Sequence, residues 1–140
     1  MYQSIELTEL TKLELLTLAA KSIGFDPYVH GGKLYSEFQY EGEDTTAKDW
    51  DPMKDPGDAM LLAIQLQLTV HNDQLGSGTT YCTKYDFDRH EEATYPEVLT
   101  INNSETLTKQ DYRDSYRAIV YAAATIALEM INNEQQTQGS

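Results

Sequence analysis

The sequence predicts an α+β fold, in which a small mixed or antiparallel sheet is covered by three helices as a two-layer or α-β-α sandwich. Three segments have helical periodicity, and segments with strand-like alternation lie between them. The 140 residues, 40% of them hydrophobic, suffice for one core. We therefore predict a single domain over residues 1–131 and a frayed polar tail over residues 132–140.

The first helix is predicted from a capping box. The side chains of Thr11 and Glu14 would each accept a hydrogen bond from the other residue's backbone amide. Gly24 then supplies the left-handed residue that commonly ends a helix. Between them, an apolar stripe with helical spacing comprises Leu16, Ala19, Ala20 and Ile23.

A β-hairpin is predicted after this helix. Tyr28–His30 forms its first strand and residues 33–40 form its second, because Gly31 and Gly32 tolerate the positive φ angles of a tight turn. The segment 41–55 has no periodicity, and we predict an acidic loop there.

A second helix is predicted to run directly into a strand. Asp55 can cap the helix, Pro56 suits its first position, and Asp58 lies in its first turn, where a negative charge is favourable. After Leu66 the apolar period shifts from helical to alternating, so a strand should begin near Leu68.

Two strands and the longest helix complete the prediction. Residues 79–87 are rich in β-formers, and residues 97–101 form a further short strand. Thr108 and Asp111 are expected to cap the last helix. Its predicted apolar stripe comprises Tyr112, Tyr116, Ile119, Ala123, Ile126 and Met130.

The net negative charge of the chain argues against two classes of anionic partner, nucleic acids and membranes. With 23 acidic and 10 basic residues, the chain has a formal net charge of −13. This charge argues against direct nucleic-acid binding and against docking on an anionic membrane. We find no signal peptide and no apolar run near the ~20 residues that a membrane span requires. Cys82 is the single cysteine, which fits a reducing compartment such as the cytoplasm.

The acidic residues concentrate in the middle of the chain. Between Glu37 and Glu97 there are 14 acidic and four basic residues, a net of −10. We predict two groups of candidate partner-binding residues in this segment. The first acidic group comprises Glu41, Glu43, Asp44, Asp49, Trp50 and Asp51, and the second acidic group comprises Asp86, Asp88, Glu91 and Glu92.

Two interpretations of these groups stay open. The acids either only keep the protein soluble or meet a protein partner with a basic surface. Trp50, likewise, is either an anchor for that partner or, with Pro52, a clamp that holds the acidic loop on the domain.

Signals for catalysis are poor. Cys82 lies in a predicted strand, where we expect a buried and inert thiol. His30, His71 and His90 lack the spacing of metal ligands, and residues 49–58 lack the pattern of an EF-hand loop. We predict no enzyme activity, no metal and no cofactor.

Three blocks carry a family resemblance. They are TKLELLTLAAKSIG from Thr11, WDPMKDPGDAMLLA from Trp50 and RAIVYAAA from Arg117. The chain resembles a group of small tailed-phage and prophage proteins of unknown function, which are similar to the phage α-β-α sandwich domain. Pro56 and Tyr121 depart from the pattern of the group, which often has an acidic residue and an arginine there.

The resemblance implies a phage origin, an α-β-α sandwich and the cytoplasm of a bacterial host. No catalytic residue can be carried over from the group. We expect an accessory protein that binds a host or defence protein, with anti-defence or anti-CRISPR activity as the specific version. An acidic nucleic-acid mimic is one alternative, a metal-binding protein or enzyme is another, and a homo-oligomer is left open.

Overall fold

The computed structural model describes residues 7–25, 27–38, 46–100 and 105–138. After a 3-10 turn at Leu7–Glu9, the helices are α1 (Lys12–Ser22), α2 (Pro56–Leu66) and α3 (Lys109–Gln138). The strands are β1 (Tyr28–His30), β2 (Lys33–Phe38), β3 (Thr46–Asp49), β4 (Thr69–Asp73), β5 (Thr79–Asp86), β6 (Glu91–Thr94) and β7 (Val98–Leu99).

The predicted α+β class with antiparallel pairing is confirmed. The described strands form two sheets, however, and not the single sheet that was expected. One sheet has the order β1-β2-β3, and the other has the order β4-β5-β6 with β7 also paired to β5. Helix α2 lies between β3 and β4 in the chain, and of the described strands the first three pair only with one another, as do the last four.

Helix α3 holds the two halves together. It contacts β4, β5 and β7, and it also packs against α1 and α2, while α1 reaches β2. Small side chains allow this close approach: Ala118, Ala122, Ala123, Ala124 and Ala127 of α3 are fully buried, as are Ala19 and Ala20 of α1.

The predicted helix boundaries are confirmed at α1. The Thr11 hydroxyl accepts a hydrogen bond from the Glu14 amide at 3.2 Å, and the Glu14 carboxylate accepts one from the Thr11 amide at 3.0 Å. Hydrogen bonding of the Glu14 carboxylate by the Thr11 backbone, and to a smaller extent by the Thr11 side chain, lowers the pKa of Glu14. Gly24 has a φ of 78°, the left-handed conformation expected just after the helix.

The predicted passage from α2 into a strand is also confirmed. Asp55 caps the helix, because its Oδ1 accepts hydrogen bonds from the Gly57 amide at 2.8 Å and from the Asp58 amide at 3.2 Å. Gln67 adopts a left-handed φ of 57°, and β4 begins two residues later at Thr69.

Two strands lie where no strand was predicted. β3 falls inside the predicted acidic loop of residues 41–55, and β6 falls inside the segment that precedes Pro96. Neither has clear alternation of its own. Each is held by its neighbour, since β3 pairs with β2 and β6 pairs with β5. Residues 39–45 and 101–104, on which the other predicted strand ends fell, lie outside the described residues.

The stripe predicted for α3 is correct only in its middle. Ile119 and Ala123 are buried, whereas Tyr112 and Met130 are exposed at the two ends of the stripe. Helix α3 continues to Gln138, past the position where the polar tail was predicted to begin. The domain boundary after residue 131 stays a prediction.

Candidate partner-binding surface

The first acidic group is only partly described. Glu41, Glu43 and Asp44 lie outside the described residues. Asp49 ends β3 with an exposed side chain, and one of its carboxylate oxygens lies 3.8 Å from the Lys33 ammonium. Both side chains are largely exposed, so this pairing is weak and leaves the charge of Asp49 on the surface.

Asp51 is a structural residue of the turn before α2. Its Oδ1 accepts a hydrogen bond from the Met53 amide at 3.0 Å, and its Oδ2 accepts one from the Lys12 ammonium at 2.7 Å. Its own amide donates to Oδ2 of the buried Asp58 at 3.0 Å. These bonds connect the start of α1 to the start of α2. Both carboxylate oxygens of Asp51 therefore already have hydrogen-bond donors within the chain.

Trp50 is buried, with 4% of its surface exposed. Its ring meets Phe25 edge-on at 6.0 Å between centroids, and its amide donates to the Leu34 carbonyl at 2.8 Å. Pro52, two residues on, is fully buried. This arrangement favours the interpretation that Trp50 and Pro52 clamp the segment on the domain; a contact of Trp50 with a partner stays a prediction.

A groove of about 750 Å³ lies beside this segment. Its lining combines Lys12, Lys33 and Lys54 with several aspartates of the segment 49–58. Because its lining carries both signs of charge, the groove offers no uniformly acidic surface to a basic partner.

The second acidic group lies on the hairpin that joins β5 to β6. Tyr85 pairs with Glu92 and Asp86 with Glu91 across the two strands. Asp86 shapes the turn, since its Oδ1 accepts hydrogen bonds from the Asp88 amide at 3.0 Å and from the Arg89 amide at 3.2 Å.

The remaining acids of this group point into solvent. Asp88, Glu91 and Glu92 are all exposed. Arg89 lies 3.8 Å from Asp86 and 4.0 Å from Glu91, and it is itself largely exposed, so its pairing with either acid is weak. The hairpin therefore keeps a net negative charge on its surface.

Two aromatic rings accompany these charges. Phe87 is 77% exposed and Tyr85 is 44% exposed, and their rings meet edge-on at 4.7 Å between centroids. We name Tyr85, Phe87, Asp88, Glu91 and Glu92 the hairpin surface. The aromatic pair was not predicted, because the predicted strand over residues 79–87 included Phe87. The signal in the sequence is a phenylalanine between two aspartates next to a turn.

The two acidic groups are not brought together by strand pairing. Asp49 to Asp51 lie at the end of the three-stranded sheet, whereas the hairpin surface belongs to the four-stranded sheet. The chain thus presents two separate regions with different uses of their acidic residues.

Cys82 and His71 both lie within the four-stranded sheet, on β5 and β4. Cys82 is fully buried, and this burial raises the pKa of its thiol to about 12, so the thiol is protonated at neutral pH. The His71 ring stacks on Tyr81 at 4.6 Å and lies 2.8 Å from the Thr83 hydroxyl through Nε2. Among the described residues, no three histidine, cysteine or acidic side chains are grouped as a metal site.

No family model matches the chain, and a search of the curated proteins finds no significant match. Within the part of the chain that the structure describes, none of the helices combines the length and apolar character needed to cross a membrane.

Proposed function

We propose that this protein acts by binding a protein partner with a basic surface, and that the hairpin surface makes the contact. The observation that carries the proposal is the exposed Phe87, which packs against Tyr85 on the same hairpin as the exposed Asp88, Glu91 and Glu92. A large apolar side chain left in solvent at the tip of a hairpin adds nothing to the core. Its contact area is available to a partner.

Aromatic residues and charges have different tasks in such an interface. Buried aromatic anchors carry most of the binding free energy, because they fill pockets of the partner. Charged residues at the rim speed the encounter with a surface of opposite sign. The hairpin surface offers both features, with Phe87 as the anchor and the three carboxylates as the rim.

For the biological context we propose a phage or prophage accessory protein that acts in the cytoplasm of a bacterial host. The support is the resemblance of the three blocks that begin at Thr11, Trp50 and Arg117 to small phage proteins. The target would be a host or defence protein, and anti-defence activity, including anti-CRISPR activity, is the version to test first.

Nucleic-acid mimicry receives less support from the geometry. A mimic requires a dense row of free carboxylates, since duplex DNA carries one charge per ~1.7 Å of its axis. Asp51, Asp55, Asp58 and Asp86 instead accept hydrogen bonds from the chain itself.

The test starts from chemical cross-linking in bacteria that express the protein, followed by kinetics with the purified partner. We expect Phe87→Ala to weaken affinity by about 30-fold, the effect of losing a hot-spot residue worth ~2 kcal/mol. The triple variant Asp88→Asn, Glu91→Gln, Glu92→Gln should slow association, and added salt should slow association of the wild type in the same way.

Two matched controls separate this surface from general effects. Leu99→Ala removes another highly exposed apolar side chain of the same sheet. The triple variant Glu97→Gln, Glu105→Gln, Glu134→Gln removes the same charge from exposed positions elsewhere. If the controls weaken binding as much as the hairpin variants do, or if the hairpin variants bind like the wild type, the proposal is wrong.

A further inference from the structure

The two faces of the β5–β6 hairpin carry different side chains. Residues that pair directly across two antiparallel strands lie on the same face, and neighbours along one strand lie on opposite faces. Tyr85 therefore shares a face with Glu92, and Asp86 lies with Glu91 on the other face. Phe87 belongs to the face of Tyr85, since the two rings meet at 4.7 Å between centroids. We name Tyr85, Phe87 and Glu92 the aromatic corner.

The hairpin's own arginine pairs with the acids of the opposite face. Arg89 lies 3.8 Å from Asp86 and 4.0 Å from Glu91. Glu92 is exposed, and within the described residues no lysine, arginine or histidine forms an ion pair with it. The aromatic corner therefore combines two exposed rings with a carboxylate that has room for a cation from outside the chain.

The two rings leave a π face open to such a cation. They meet edge-on, with 78° between their planes, and do not stack face to face. Phe87 is so exposed that at least one face of its ring is in contact with solvent. The face of an aromatic ring is the negative end of its quadrupole, so it attracts a cation placed over it.

The chain shows the same combination elsewhere, with its cation in place. In α3 the Arg117 guanidinium lies over the Tyr121 ring, 5.6 Å from the ring centroid, and its Nη1 lies 3.6 Å from the carboxylate of Asp114. One arginine thus contacts a ring and a carboxylate at once. The aromatic corner offers a ring and a carboxylate of the same kind to an arginine of another chain.

The guanidinium of arginine suits this corner better than the ammonium of lysine does. A guanidinium is planar, so it can stack on the ring of Phe87 and still direct a fork of N–H donors to the carboxylate of Glu92. An ammonium is a compact charge that is more strongly hydrated, and it cannot stack.

We propose that the aromatic corner binds an arginine side chain of the protein partner, with the guanidinium stacked on Phe87 and hydrogen-bonded to Glu92. The inference rests on the proposed function, because it names the residue of the partner that the hairpin surface contacts. The arginine forms one wall of the partner's pocket for Phe87. Glu92 then contacts the partner directly, whereas Glu91 contributes only its charge.

The test uses three blocked peptides of sequence Gly-Gly-X-Gly-Gly, in which X is arginine, lysine or citrulline. Citrulline has nearly the shape of arginine and lacks its charge. We titrate the full chain with each peptide at constant ionic strength and follow the ring signals of Phe87 and Tyr85 by NMR. We expect saturable shifts with the arginine peptide, an affinity about threefold weaker for the lysine peptide and about tenfold weaker for the citrulline peptide.

Two results of this titration would overturn the proposal. An arginine peptide that causes no saturable shift of the two rings would show that the corner does not bind a guanidinium. An arginine peptide that binds no better than the lysine or citrulline peptide would show that the corner does not select arginine.

A matched pair of variants separates the two faces of the hairpin. Glu92→Gln and Glu91→Gln remove the same charge from adjacent exposed positions, but only Glu92 shares a face with Tyr85. Glu92→Gln should weaken binding of the arginine peptide about fivefold, and Glu91→Gln should weaken it by less than about twofold. Equal effects of the two variants would overturn the role of Glu92.

A third variant tests the ring. Phe87→Leu keeps a large apolar side chain at an exposed position, where substitutions change stability little, and it removes the π face. The arginine peptide should then bind no better than the lysine peptide. A retained preference for arginine would overturn the stacking on Phe87.

The same measurements distinguish this inference from the proposed function. If the cross-linked partner loses affinity for the Phe87→Ala variant while the peptides show no preference for arginine, the proposed function stands and the arginine inference is wrong. If the partner binds Phe87→Ala like the wild type, the proposed function is wrong and the arginine inference falls with it.

Discussion

The segment around Trp50 and the β5–β6 hairpin are both acidic in sequence and both contain an aromatic residue between aspartates. In the structure they differ in almost every contact. Trp50 is buried against Phe25, and the adjacent Asp51 accepts hydrogen bonds from the Met53 amide and the Lys12 ammonium. Phe87 lies in solvent, and of its acidic neighbours only Asp86 binds the chain through amides.

This difference separates two uses of the same residue types. A carboxylate that accepts hydrogen bonds from backbone amides organises a turn or a helix start, and its removal should weaken the fold. A carboxylate in free solvent contributes little to stability and is available for a partner. Net charge along the sequence does not distinguish the two cases, but the hydrogen-bond partners do.

The largest expected contrast is between the two aromatic residues. Trp50→Ala should lower the free energy of unfolding by about 3–5 kcal/mol, because it removes a buried indole ring and leaves a cavity. Phe87→Ala should change it by less than about 0.5 kcal/mol. Urea denaturation followed by circular dichroism measures both values. Comparable losses for the two variants would remove the distinction between the regions.

The next contrast is between two aspartates. Asp58 is buried and accepts a hydrogen bond from the Asp51 amide, so Asp58→Ala should destabilise the protein by about 1–3 kcal/mol. Asp88 is exposed, and Asp88→Ala should stay within about 0.5 kcal/mol of the wild type. The same denaturation experiment applies, and a stable Asp58→Ala variant would show that the buried carboxylate is dispensable.

The smallest contrast concerns the ion pair between Lys12 and Asp51. The Lys12 side chain is about half exposed, so Lys12→Met should cost only about 0.2–1 kcal/mol despite the 2.7 Å separation of the charged atoms. The difference between variant and wild type should shrink in 1 M salt, where the Debye length is ~3 Å. A loss that salt leaves unchanged would point to packing of the lysine stem as its cause.

Local signals in the sequence account for the parts of the fold that were predicted correctly. The capping residues Thr11 and Asp55 bond to amides within three residues of their own position. A capping pattern of this kind can therefore be recognised from a single sequence. β3 and β6 were missed for the opposite reason. Thr46–Asp49 and Glu91–Thr94 become strands because β2 and β5 offer free backbone groups, which no local pattern reveals.

The candidate sites show the same limit. The acids of the second acidic group were predicted from composition, yet the exposure of Phe87 depends on the exact end of β5 at Asp86. An apolar groove lined by Ala63 of α2, Val70 of β4 and Ile119 of α3 joins residues that lie far apart in the chain. Only long-range packing brings these residues together, so the groove could not be predicted.

Equal charges in the two regions have unequal structural roles, and a comparison of unfolding free energies between two triple variants measures the difference. The variant Asp51→Ala, Asp55→Ala, Asp58→Ala and the variant Asp88→Ala, Glu91→Ala, Glu92→Ala remove the same charge. We predict a loss of at least about 3 kcal/mol for the first, from the helix cap and the amide bonds together, and less than about 1 kcal/mol for the second. Equal losses of unfolding free energy in the two variants, measured by urea denaturation, would show that the two groups of carboxylates have the same structural role.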